Sequence, residues 1–68
     1  MKIKANKRFK ETRLKKGYTL VDLAEKIEMS KQAIGQVERG INGISPTNSS
    51  KVLAALNVEF GEIFEIKE

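Results

Sequence analysis

The chain has 68 residues, which is enough for one small domain, and we expect that domain to span residues 1–68. It contains no cysteine and no histidine, which excludes a disulfide framework, a thiolate metal site and the commonest general base. The net charge is +4 and uneven, because residues 1–16 hold eight Lys or Arg and one acid. This basic end suggests phosphate contact, although the same lysines could simply solvate a helix face.

Membrane proteins, secreted proteins and enzymes are not expected, because the chain lacks the sequence features that each of them needs. No apolar run approaches the ~20 residues that a membrane helix needs. The basic N-terminal residues lack the apolar core of a signal peptide, so a cytoplasmic location is expected. No paired carboxylates stand where a pocket would form, and we therefore expect no catalytic residue, no metal, no cofactor, no small-molecule ligand and no enzymatic activity.

The first elements are predicted from alternation and capping residues. Residues 1–5 alternate between apolar side chains and lysines, which fits a short strand. Asn6 is a suitable N-cap for a first helix that continues to about Lys16. Gly17 then stands where a left-handed glycine commonly ends a helix.

Residues 19–40 contain two short amphipathic helical patterns separated by a three-residue break. Thr19 and Asp22 form a near capping box at the start of the second helix. An apolar stripe at helical spacing follows, formed by Leu20, Leu23, Ala24 and Ile27. Glu28-Met29-Ser30 is the predicted turn, and Ser30 is the N-cap of a third helix that runs from Lys31 to about Arg39 and ends at Gly40.

The last third of the chain predicts a fourth helix, and its final residues fit either a short helix or a strand. Ser45-Pro46 has the pattern of an N-cap followed by the first helical residue, and Asn57 is a suitable left-handed stop after Leu56. Residues 60–64 have helical spacing, whereas residues 63–67 also alternate like a strand. The strand alternative would pair with residues 1–5 and bring acidic residues of the C-terminal end close to Lys2 or Lys4.

The outward side of the third helix carries the residues of greatest functional interest. Glutamine can bond bidentately to adenine, and lysine donates to guanine O6 and N7. A glycine on this side would leave room for a base edge, although it costs ~1 kcal/mol against alanine inside a helix. Many surface helices carry Lys and Gln, but the preceding turn, the caps and the closing Glu38-Arg39-Gly40 together favour a helix that enters the DNA major groove. The outward set is Lys31, Gln32, Gly35, Gln36 and Arg39.

The segment Thr19–Gly40 resembles the helix-turn-helix of the Cro/repressor-type (Xre) DNA-binding family. The resemblance extends over nearly the whole chain, from Arg13-x-x-x-Gly17 through Pro46 to Ala55-Leu56-Asn57-Val58 and the Phe/Glu-rich residues 60–64. It implies an all-α, lambda-repressor-like bundle of four to five helices, to which the pairing of the chain ends would add two short strands. Three positions depart from the family pattern: Thr12 replaces a usual leucine, Leu20 a usual glutamine, and Glu28 a usual glycine.

The resemblance also implies roles for individual residues. Lys31, Gln32 and Gln36 fall on base-reading positions, and Gly35 lies between them. Arg13 and Glu38 match a buried structural ion pair between the first helix and the end of the third. Backbone phosphate contacts are expected from Thr19, Ser30, Arg39 and Asn42, with Lys7 or Arg8 as further candidates.

Family members pair two copies on a near-palindromic site whose halves lie about one helical turn (~34 Å) apart. We therefore expect a homodimer that binds double-stranded DNA as a transcriptional repressor. Phe60 and Phe64 are candidates for the dimer contact and, equally, for the core. The alternative is an antitoxin-like or other protein-interaction module on the same fold. The long polar side chains of the third helix argue against that alternative, since a partner groove is more often apolar or aromatic.

Overall fold

The computed structural model describes all 68 residues, which form five helices around one core and a two-stranded antiparallel sheet. The mostly helical fold confirms the predicted class. None of the five helices has the length and the apolar character that a membrane-spanning segment requires. In chain order the elements are β1 (Lys2–Ala5), α1 (Arg8–Lys15), α2 (Leu20–Ile27), α3 (Lys31–Glu38), α4 (Pro46–Leu56), α5 (Phe60–Ile63) and β2 (Phe64–Lys67).

The two ends of the chain pair with each other. β1 and β2 run antiparallel, with Ile3 opposite Ile66 and Lys4 opposite Glu65. The alternatives left open for the last residues therefore both occur, in succession: the helix ends at Ile63 and the strand begins at the next residue. The opposite charges at positions 4 and 65 match the pairing expected from the charge distribution.

The predicted caps are present at the starts of α2, α3 and α4. Thr19 Oγ1 accepts from the Asp22 amide at 3.0 Å, and the Asp22 carboxylate accepts from the Thr19 amide at 3.3 Å, which completes the capping box. Ser30 and Ser45 each accept an amide of the first turn of α3 and α4. The N-cap position of α1 is Lys7, one residue after the predicted Asn6, and the Lys7 side chain makes no cap; Asn6 Oδ1 instead accepts from the amide of Arg8, the first helical residue, at 2.9 Å. These bonds satisfy amides that no helical carbonyl can reach.

The turn between α2 and α3 is made by a left-handed glutamate. Glu28 has φ +60°, at the position where the resembling family usually has glycine. A residue with a side chain adopts this conformation at a cost of roughly 1 kcal/mol, so the surrounding packing must hold it. Met29 follows it and lies half-buried against the core. The turn is therefore tight without glycine, and α3 keeps its expected start.

The core is built from one face of each helix together with the strands. Phe64 belongs to it: the residue is 2% exposed, and its ring centre lies 5.7 Å from that of Phe9 and 5.6 Å from that of Phe60. Of the two roles left open for Phe64, dimer contact and core, its burial supports the core, because β2 begins by turning this ring inward. Phe60 is half-buried and keeps part of its ring exposed. The buried core consists of Ile3, Phe9, Leu23, Ala24, Ile27, Ile34, Val37, Ile44, Val52, Leu56, Ile63 and Phe64.

A buried ion pair joins α1 to the end of α3, as the resemblance implies. Arg13 Nη2 lies 3.0 Å from Glu38 Oε1, and the two side chains are only 6% and 8% exposed. Arg13 Nε donates to the same oxygen at 3.1 Å, while Nη1 donates to the Tyr18 carbonyl at 2.8 Å. The guanidinium thus fixes the α1–α2 connection and α3 at one point.

Arg13→Met should lower the free energy of unfolding by about 3–5 kcal/mol, because it leaves the Glu38 carboxylate buried without its partner. Chemical denaturation measures this loss. The control is the double variant Arg13→Met/Glu38→Leu, which removes both charges and should recover most of the stability. A single variant that unfolds at the wild-type denaturant concentration would contradict the structural role of the pair.

Candidate nucleic-acid interface

The exposed side of α3 begins directly at its N-terminal cap. Lys31 and Gln32 are the first two residues of the helix, and both are exposed. On the opposite side, Ile34 and Val37 are buried in the core, so the orientation of the helix is fixed by its apolar residues. Arg39, the C-cap residue, is also exposed. Long polar side chains therefore occur at both ends of one accessible helix face.

Gly35 is buried, which corrects the exposed position expected from the sequence. The cause is Leu20 at the start of α2: a methyl group added at Gly35 would lie 3.8 Å from Leu20 Cδ1. That distance is an ordinary van der Waals contact, so the packing of α2 on α3 does not itself require glycine. Leu20, at the position where the resembling family usually has a glutamine, thus places an apolar side chain beside Gly35 of α3.

Gln36 and Asn42 are linked, although the sequence assigned them to different roles. Asn42 Nδ2 donates to Gln36 Oε1 at 2.6 Å. The backbone reinforces this contact, since the amides of Ile41 and Asn42 both donate to the Gln36 carbonyl, at 3.0 and 3.4 Å. The loop after α3 is therefore tied to the second turn of the helix, and Nε2 is the part of the Gln36 amide without a partner in the chain.

A cleft of about 850 Å³ lies between α1, the start of α2 and α3. The Arg13–Glu38 pair lies in its wall, where the two charges neutralise each other. Its remaining charged residues are all cations, and none of them makes a salt bridge. These free cations are Lys7, Lys10, Lys31 and Arg39, and the uncharged lining residues are Leu20, Gln32 and Gly35.

The cleft brings together residues that the sequence named separately and one that it did not assign to the interface. Lys31, Gln32, Gly35 and Arg39 all line it, whereas Thr19, Ser30, Gln36 and Asn42 do not. Lys7, a further phosphate candidate, lines it as well. Arg8 is directed elsewhere, because its Nη2 donates to the Gly61 carbonyl at 3.1 Å.

The sequence placed Lys10 only among the basic-end lysines, which either contact phosphate or solvate a helix face, and did not assign it to the interface. Its signal lies in spacing: Lys7 at the N-cap and Lys10 and Arg13 within α1 are three residues apart, so they share one side of the helix. Because the ion pair directs Arg13 toward α3, the two lysines on the same side also face the cleft.

The cap residues Thr19 and Ser30 are exposed and already engaged. Each hydroxyl accepts an amide of its own helix, which leaves its O–H free to donate to an outside acceptor. At the start of α2, however, the Asp22 carboxylate lies against the Thr19 amide at 3.3 Å. This negative charge opposes a phosphate at Thr19, whereas no acid occurs in the first turn of α3.

The family model described as "Helix-turn-helix" matches residues 9–63. The chain belongs to this helix-turn-helix family. The predicted Xre-type membership is thereby confirmed, and the family and its relatives are regulators that bind DNA rather than enzymes. A separate comparison with curated proteins finds no match.

Solved structures of regulators resemble this helix-turn-helix chain closely. The restriction-modification controller protein C.AhdI from Aeromonas hydrophila is 34% identical, with a TM-score of 0.75 over 82% of this chain and 85% of that one. The master regulator for biofilm formation SinR, solved in complex with DNA, is 36% identical, with a TM-score of 0.73 over 81% and 89%. The N-terminal DNA-binding domain of SinR from Bacillus subtilis is 34% identical, with a TM-score of 0.70 over 90% of each chain.

Asn42→Ala should release the Gln36 side chain, because it removes the only hydrogen bond that holds the Gln36 amide. We expect the Gln36 side-chain amide resonances to move toward the values of a free glutamine and to show rotamer averaging in NMR spectra. Gln32 is the matched control, since its amide makes no hydrogen bond in the chain, and its resonances should not change. Unchanged Gln36 resonances would show that the helix alone orients this side chain.

Proposed function

We propose that this helix-turn-helix chain is a sequence-specific regulator of transcription that binds double-stranded DNA with α3 in the major groove. The observation that carries the proposal is the cleft beside α3, in which four unpaired cations border the exposed start of the helix. A cluster of positive charges beside an exposed polar helix suits DNA, because the cations can contact its phosphates while the helix enters a groove. The SinR–DNA complex among the similar structures supports the same reading.

Base readout is assigned to three side chains of α3. Lys31 and Gln32 stand at the N-terminal end, which enters the groove first in helix-turn-helix proteins. Gln36 lies one turn further along, held by Asn42 through its oxygen. Its free Nε2 suits an acceptor on a base edge, such as guanine O6 or thymine O4. Gln32 makes no hydrogen bond within the chain and can offer both its donor and its acceptor, as adenine requires.

Backbone contacts are assigned to the cations of the cleft and to the capping residues. Lys7, Lys10 and Arg39 would neutralise phosphates along one strand while α3 occupies the adjacent groove. Ser30 and Asn42 border α3 at its two ends and are the hydroxyl and amide contacts that we propose. Thr19 is the weakest of the proposed contacts, because the Asp22 carboxylate shares its position.

The proposed active form is a homodimer on a palindromic operator. A domain this small contacts few bases, and two copies on half-sites about one turn (~34 Å) apart would combine their affinities. Occupation of such an operator would block RNA polymerase, which makes repression the expected outcome. The cytoplasmic location stays a prediction that follows from this role.

The first experiment is a selection from randomised duplex DNA at ~150 mM salt, a concentration that suppresses binding driven only by counterion release. An enriched inverted repeat would support a dimeric operator binder. Enrichment of a single short site would support DNA binding without the dimer. Binding that disappears as salt rises, with no enrichment, would overturn the proposal and direct the search toward a protein partner.

Gln32→Ala should weaken binding to the selected site by ~1–3 kcal/mol and leave binding to random DNA nearly unchanged, because it removes a base contact. Lys10→Ala is the matched comparison from the cleft: it should weaken both and reduce the salt dependence by about one released ion. Fluorescence anisotropy over a salt series measures both effects. Equal losses on the two DNAs for Gln32→Ala would remove this residue from base readout.

Gly35 lines the cleft, and Gly35→Ala should affect the stability of the fold and the affinity for DNA in opposite directions. The added methyl group has room in the free protein, so the variant should gain ~0.5–1 kcal/mol of stability from reduced backbone entropy. It should nevertheless bind the selected site about tenfold more weakly, or ~1.4 kcal/mol, if DNA approaches the helix here. Gly61→Ala, a second helical glycine with open space around it, is the control and should leave DNA binding unchanged. Unchanged DNA binding by Gly35→Ala would contradict a close approach of DNA at this position.

A further inference from the structure

β2 has one edge that no other part of the chain covers. It pairs with β1 on one side only, and the sheet has no third strand. The outer edge of β1 is covered in part, because the Ile44 amide donates to the Ile3 carbonyl at 2.9 Å. On β2, Glu65, Ile66 and Lys67 are all exposed, and Ile66 keeps 55% of its surface accessible.

The hydrogen-bond pattern between β1 and β2 determines which backbone groups of β2 point toward its open edge. The Ile3 carbonyl points away from β2, toward Ile44, so the residues of β1 that bond β2 are the alternate ones, including Lys4. Their partners on β2 are Glu65 and Lys67. The N–H and C=O of Ile66 therefore point outward at the open edge, and a new antiparallel strand could bond them.

The sequence of β2 is complementary to itself about Ile66. In an antiparallel pair of two copies centred on this residue, each Ile66 N–H would donate to the C=O of the other Ile66. Glu65 of each copy would stand opposite Lys67 of the other, in the close pair that does not share hydrogen bonds. If the register of the two strands shifted by one residue, Ile66 would stand opposite Glu65 or Lys67 of the other copy, and the match would be lost.

The side chains of the joined sheet would match on both faces. Residues opposite each other share a face, so the apolar row Ile3–Ile66 of one copy would continue into Ile66–Ile3 of the other. On the charged face, Lys67 stands opposite Lys2 within the chain, which is an unfavourable like-charge pair that the Glu65 carboxylate of the same strand, 3.6 Å from Lys67 Nζ, offsets only in part because both side chains are exposed. The Glu65 of a second copy would lie on the other side of Lys67 and add a second carboxylate against that repulsion.

Charged residues on an edge strand commonly prevent association, and an isolated lysine would do so here. Here the two charges have opposite signs and lie symmetrically about an exposed isoleucine. They oppose pairing with an unrelated strand but favour pairing with a second copy of the same strand.

We propose that two copies of this chain associate through their β2 edges, antiparallel and centred on Ile66, to form a continuous four-stranded sheet. The inference rests on the proposed homodimer and names its contact, but it concerns the association of the free protein and is tested without DNA.

The decisive experiment exchanges the charges. Glu65→Lys alone would face Lys67 of its partner, and Lys67→Glu alone would face Glu65, so each variant should dimerise about tenfold more weakly than the wild type. An equimolar mixture of the two should form a heterodimer, because every cross-strand pair is then again of opposite charge. Sedimentation equilibrium measures the association, and circular dichroism verifies that each variant is folded.

Recovery in the mixture cannot arise from an effect within one chain, so it would establish the pairing and its register. Ile66→Lys should abolish the dimer, whereas Ile41→Lys, at an equally exposed isoleucine outside β2, should not. A monomeric wild type, or a dimer that these β2 variants leave unchanged, would overturn the inference. DNA selection reports separately: a monomer that still enriches a sequence would keep the proposed function, and a β2-paired dimer that enriches none would lose it.

Discussion

The bidentate pair of Arg13 and Glu38 is the interaction on which the arrangement of this small domain depends. α1 contributes few apolar residues to the core, and α3 is only two turns long. Packing alone would leave their relative position weakly determined. The guanidinium bonds Glu38 on one side and the Tyr18 carbonyl on the other, so three segments meet at one buried group. The cost of burying this charge is offset only while all three remain in place.

The same pair determines where the positive charge of the surface can act. It holds the lysines of α1 beside the start of α3, so cations distant in the sequence border a single cleft. Because the pair has no net charge, the positive electrostatic potential of the cleft comes from its four cations that make no salt bridge within the protein. The stability of the fold and the charge of the candidate interface are thus set by different residues of the same helices.

The sequence predicted well what depends on local chemistry. Caps at Thr19, Ser30 and Ser45 and the left-handed position of Asn57 follow from side-chain and backbone preferences that act over a few residues. It could not decide between helix and strand for the last residues, because pairing with β1 is a contact across the whole chain. It misplaced Gly35, whose burial depends on Leu20 from another helix, and it did not assign Lys10 to the interface, since the role of that residue depends on the direction of Arg13.

The bond between Gln36 and Asn42 has a consequence for how such a protein could change its target over time. A substitution at position 36 would change a side chain that we propose to contact bases, and it would also remove the side-chain bond to Asn42, leaving only backbone bonds between the helix and the loop. Changes of preferred operator at this position would then require a matching change at position 42. Positions such as 32, whose side chain no loop holds, are free to vary singly. If α3 contacts bases as proposed, new specificities should therefore arise first at its start and reach its second turn only through paired substitutions.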